Sequence, residues 1–79
     1  MIIYTDKNYK IKKIDVVKKS VLTKKDTLDL IINYYNSAIK DDKKVKAFGY
    51  TNILKVAISI YEPEFLEEGF VWQELQENI

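Results

Sequence analysis

VKAFGYTNILKVAISIY, residues 45–61, holds the fold in the balance. Leu54, Val56, Ile58 and Ile60 alternate with Lys55, Ala57, Ser59 and Tyr61, the two-residue period of a half-buried strand. Phe48 and Tyr50 share that even parity. Ile53, Val56, Ala57 and Ile60 also satisfy the 3.6-residue period of a buried helix, with Asn52 in place as its N-cap. The β-branched and aromatic content favours the strand reading, as one long strand or a hairpin turning at Tyr50-Thr51-Asn52. On that reading the chain is a small α+β domain. On the other it is an all-α bundle.

The flanking segments are read from the same periods. Thr23 is placed to cap a helix over 24–40, with Asp26 and Asp29 near its positive end and Lys40 near its negative end. Leu28, Ile31, Ile32, Tyr35, Ala38 and Ile39 make one apolar stripe on it. Packing then joins Leu28, Ile31, Ile32, Tyr35 and Ile39 to Leu54, Val56, Ile58 and Ile60 across one face of an antiparallel sheet. Asp41-Asp42 reads as a solvated helix end, and Asp41 to Lys44 as a charged connection. Upstream, Ile2 to Thr5 is β-prone and Asp6-Lys7-Asn8 is turn-like. Tyr9/Ile11 and Ile14/Val16 alternate out of phase across Lys12-Lys13, so a hairpin here demands a bulge. Ile11, Ile14, Val17 and Val21 fit a helix instead, and the hairpin is preferred. Downstream, Pro63 suits the first position of a helix that would align Phe65, Trp72, Leu75 and Ile79, with Gly69 able to split off an extended tail.

Composition removes whole classes of chemistry. The 79 residues include no histidine, cysteine or arginine, and all 13 basic groups are lysine. Imidazole bases, thiolate nucleophiles, disulfides and thiolate zinc sites are therefore excluded. The planar fork that reads guanine edges is missing too, which disfavours sequence-specific readout of duplex DNA. No catalytic spacing and no cofactor or metal motif is recognisable, and no apolar run is long enough to span a membrane. The N-terminus does not read as a secretory signal. Charge is strongly segregated: +6 over residues 1–25, zero over 26–46 and −5 over 47–79. Such a division neutralises itself within the fold, attracts a charged partner, or drives self-association through opposite ends.

Two sets of residues stand out as candidate sites. Phe65, Phe70 and Trp72 lie among Glu67, Glu68 and other glutamates, an acidic-aromatic segment suited to docking on a basic partner protein. Tyr34, beside Leu30 at the edge of the helical stripe, offers a further contact. The second set centres on Lys46-Ala47-Phe48-Gly49-Tyr50-Thr51, which resembles the RNP1 signature of RNA-recognition motifs and cold-shock domains. That resemblance implies bases stacking on Phe48 and Tyr50 beside the basic Lys46; separately, the N-terminal lysines, Lys10, Lys12 and Lys13 among them, could attract the phosphates. The motif departs from the pattern at Ala47, Thr51 and Ile53, and residues 41–44 leave no room for the strand an RNA-recognition motif needs before RNP1. The leading expectation is a non-catalytic, cytoplasmic protein–protein interaction module, a small regulator or inhibitor of phage or mobile-element type in a low-GC bacterium. Self-association is compatible with it. A lysine-driven binder of single-stranded nucleic acid is the alternative.

Overall fold

The turn at Asp6 is built by one carboxylate. Asp6 Oδ1 accepts the backbone N–H of Asn8 at 2.8 Å and that of Lys10 at 3.0 Å. This reverses the chain between β1 (Ile2–Thr5) and β2 (Ile11–Asp15), which pair antiparallel. The register shifts by one residue between Tyr4↔Lys13 and Thr5↔Ile11, leaving Lys12 as the extra residue. That is the bulge the sequence demanded. It brings Ile11 and Ile14 onto the same buried face despite their odd spacing.

The computed structural model describes residues 1–16 and 24–75. The expected N-cap Thr23, the lysines Lys18 and Lys19, the apolar positions Val17 and Val21, and Ile79 lie outside the described residues. The first helix, α1 (Lys25–Ile39), starts from Lys24, whose side chain makes no capping bond. Ile31, Tyr35 and Ala38 are its buried positions, with Leu28, Ile32, Tyr34 and Ile39 packed partly against the core.

Residues 45–61 form a helix, not the expected strand or hairpin. The second helix, α2, runs Asp42–Tyr61 and is capped by Asp41, whose side chain accepts the N–H of Lys43 at 3.1 Å. The helical period decides which residues are covered. Ile53, Leu54, Ala57 and Ile58 are buried, whereas Val56 and Ile60 remain 44% and 54% exposed. A strand would have covered Val56 and Ile60 together with Leu54 and Ile58. Two alternating patterns coincide in this segment, and the presence of α1 favours the helix: its apolar stripe is met by a second stripe of the same pitch. Gly49 interrupts α2 at φ 73°, ψ 163°, a backbone region open essentially to glycine alone.

A short 3-10 turn, Pro63–Glu68, follows with proline in its first turn. In place of a longer C-terminal helix, Gly69 at φ 69° releases the chain into a third strand, β3 (Val71–Glu74). This strand lies parallel to β1, with Ile2↔Val71, Ile3↔Trp72, Tyr4↔Gln73 and Thr5↔Glu74 in register. The sheet has the order β2-β1-β3 and is mixed, where an antiparallel one was expected. The class is α+β: α1 packs against β2, and α2 packs on α1 and on the 3-10 turn. Met1, Ile3, Ile11 and Ile14 from the hairpin meet Ile31, Tyr35, Leu54, Ile58 and Phe65 in one core.

A side-chain clamp ties α1 to the sheet. Asn36 Oδ1 accepts the N–H of Ile11 at 2.8 Å, and its Nδ2 donates to Ile11 O at 3.1 Å. The amide thus serves Ile11 as a neighbouring strand would. Replacement of Asn36 by Ala is expected to destabilise the fold by about 1–3 kcal/mol, because both partners lose their bonds in a partly buried site. Urea unfolding, with amide exchange at Ile11 as a local readout, checks this. Gly49→Ala is expected to cost about 1–3 kcal/mol through backbone strain alone, since a Cβ there would meet nothing within 4 Å.

Candidate interaction surfaces

The residues expected to anchor a partner are distributed differently from their order in sequence. Phe65 is fully buried and belongs to the core, which removes it as a docking anchor. Its position in the 3-10 turn points it beneath α2 and away from solvent. Phe70 and Trp72 are half-buried against the same core, their rings edge to face with centroids 5.7 Å apart. Glu67 is exposed on the 3-10 turn, and Glu68 closes that turn. The acidic-aromatic segment is therefore not one continuous docking strip. Its first aromatic faces in, and Trp72 packs at 5.8 Å from Tyr35.

The stacking platform does not form either. Phe48 and Tyr50 flank the break at Gly49 and face different surroundings. Tyr50 stacks on Tyr9, ring centroids 4.3 Å apart and planes within 9° of parallel. Phe48 is 60% exposed on α2. An open sheet that aligns alternate residues is what the RNP1-like reading needs, and a kinked helix replaces it here. Lys10, Lys12 and Lys46 are exposed. Lys13 is engaged within the chain, its Nζ 4.5 Å from the Tyr4 ring centroid and 3.9 Å from an Asp15 carboxylate oxygen.

What the structure does assemble is an apolar cleft on the helix pair. Tyr34 from α1 and Phe48, Ile53 and Val56 from α2 line a space of about 200 Å³. Leu30, one turn before Tyr34, is 48% exposed, and Ile60, one turn after Val56, is also open to solvent. Tyr34, singled out at the edge of the stripe, lines this cleft. The exposure of Val56 and Ile60 was not foreseen because the strand reading placed even-numbered residues in the core. Among the described residues, no group of three histidine, cysteine, aspartate or glutamate side chains converges as metal ligands.

Tyr35 is the unusual polar group of the interior. Its ring is fully buried, and no described protein group makes a hydrogen bond with its Oη. Burial, followed by the proximity of Tyr50, Tyr9 and Asp6, pushes its hydroxyl far above the ordinary tyrosine range. In the unfolded chain the same hydroxyl ionises near its ordinary 10.0. The stability it contributes is accordingly complete below that pH and declines as pH rises past it. Tyr35→Phe is expected to reduce this alkaline loss. At neutral pH it is expected to cost nothing or to stabilise by about 1 kcal/mol, since an unpaired buried hydroxyl is removed. Thermal melts of both proteins from pH 7 to 11 check both effects.

No family profile, curated protein or solved structure matches this chain.

Proposed function

We propose that the chain is a non-catalytic docking module that receives an apolar, amphipathic helix of a partner protein in the cleft between α1 and α2. The observation that carries this reading is the exposure of Phe48 at 60% beside a cleft walled by Tyr34, Ile53 and Val56. Large apolar side chains grouped at a concave surface are a recurrent mark of a protein-binding site. A groove between two helices suits a third helix inserting residues one turn apart. Lys44, exposed one turn before Phe48, favours an acidic flank on the incoming segment. Buried aromatics dominate such contacts, and Phe48 can supply about 2 kcal/mol or more to binding while adding little to folding.

The reading fits a small regulator or inhibitor that acts by occupying its target, in the cytoplasm of a bacterial host. Among the described residues, no helix is long and apolar enough to cross a membrane. The segregated charge would orient the approach of a partner more than it would strengthen the final contact.

The test is photo-cross-linking in host cells from a photo-reactive phenylalanine analogue at position 48. A discrete heterologous adduct is expected. Val56→Glu should abolish it while leaving stability within about 0.5 kcal/mol of the parent, because the site is exposed. An adduct of twice the chain mass would reassign the cleft to self-association. No adduct, or one indifferent to Val56→Glu, would overturn the docking reading.

A further inference from the structure

Tyr9 stands on a backbone with φ of +64°, the left-handed region that L side chains seldom occupy. Asparagine tolerates that conformation better, and Asn8 stands one position earlier. The chain nonetheless places a large ring there and leaves it 45% exposed. The ring is held in a fixed orientation. Tyr50 covers one face at 4.3 Å, and Trp72 stands nearly perpendicular to it, 79° between planes with centroids 6.2 Å apart.

These two rings form a corner of an opening of about 250 Å³ at the end of the sheet, where the β1–β2 turn meets the end of β3. Asp6 and Glu74 line it as well, with Gln73 and Lys7. Asp6 is fixed by its two backbone N–H donors. Although burial pushes its carboxyl upward, those donors and the charges of Lys12 and Lys10 hold it below the ordinary aspartate value, so it is ionised at neutral pH. Among the described residues, the ion pair within 4 Å is Lys13–Asp15, and no described lysine contacts Asp6 or Glu74 at that range. The opening thus combines two electron-rich rings, nearly perpendicular, with two carboxylates and Lys7, while Lys10 and Lys12 act on Asp6 from its flank.

Ring faces attract cations through their quadrupole, and carboxylates without a lysine in contact add countercharge, Glu74 more than Asp6, whose charge Lys10 and Lys12 partly offset. We propose that this opening binds an organic ammonium group, with Tyr9 and Trp72 as its aromatic walls and Asp6 and Glu74 as its countercharge. Methylated ammonium is the best fit, because its charge is spread over a surface that is less costly to strip of water. Lys7, on the rim, carries the competing internal cation. Free quaternary amines and methylated lysine side chains present the same chemistry. This site is separate from the helical cleft and does not depend on it.

Trp72 is the single tryptophan of the chain, so its fluorescence reports directly on the opening. The full chain is titrated with choline, with the N-acetyl methylamide of trimethyl-lysine, and with 3,3-dimethylbutan-1-ol, the uncharged analogue of choline. Saturable change is expected with at least one cation and about five-fold weaker or no response to the neutral alcohol. The tighter of the two cations identifies the source. Glu74→Gln is expected to weaken binding and Lys7→Ala to tighten it. Both positions are exposed, and retention of the parent melting temperature confirms that the fold is intact. The proposal is overturned by absence of saturable binding of both cations, by an equal response to the neutral analogue, or by indifference of cation affinity to both substitutions.

Discussion

Parallel pairing of Val71–Glu74 with Ile2–Thr5 is the contact on which the remaining architecture depends. Two parallel strands cannot be joined by a tight turn, so the intervening chain must leave the sheet and return. Here both helices and the 3-10 turn make that excursion. Their apolar stripes cover the face that carries Ile3, Ile11 and Ile14. The same pairing sets Trp72 level with Ile3, which brings it against Tyr35 and Tyr9. Without β3, neither the aromatic corner nor one side of the core would close.

Much of the local structure was legible in the sequence, for reasons that were local. The out-of-phase pairs around Lys12-Lys13 required a bulge, and one is present. The stripe from Leu28 to Ile39 required a helix, and one is present; Asp41 to Lys44, read as a charged connection with a later cap at Asn52, instead caps and begins α2. Residues 45–61 were misread because their β-branched content and two-residue alternation outweighed a helical pattern that was equally present. Ala57 was the discriminating residue: wasted on the open face of a strand, it is fully buried where two helices approach. An extended tail after Gly69 was among the readings, but the pairing of Val71–Glu74 was beyond reach. Four residues carry too little period to declare a strand, and their partner stands at the other end of the chain.

Site residues followed the same division. Tyr34 could be read from its own helix, whereas its pairing with Phe48 needed the packing of α1 on α2 and the break at Gly49. Tyr9 gave no signal as a turn residue, because a tyrosine is not what left-handed backbone selects. Asn36 is visible as a polar side chain beside an apolar stripe, but nothing in the sequence names Ile11 as its partner. Among the described residues, no lysine of the basic half forms an ion pair with a glutamate of the acidic half. With β1 between them, the basic β2 and the acidic end of β3 lie at opposite margins of the sheet.

The Asn36 amide has a wider consequence for how copies of this chain can meet. A bare strand margin is a template on which further strands condense, the route by which sheets grow into fibrils. At the β2 margin that template is spoiled at Ile11 by the amide and next to it by the irregular Lys12. At the opposite margin, β3, no described side chain makes such a bond, and the strand is only four residues long. Addition of strands is therefore directional: a second molecule joined through β3 would present its own obstructed β2 margin outward, and accretion would stop at the pair.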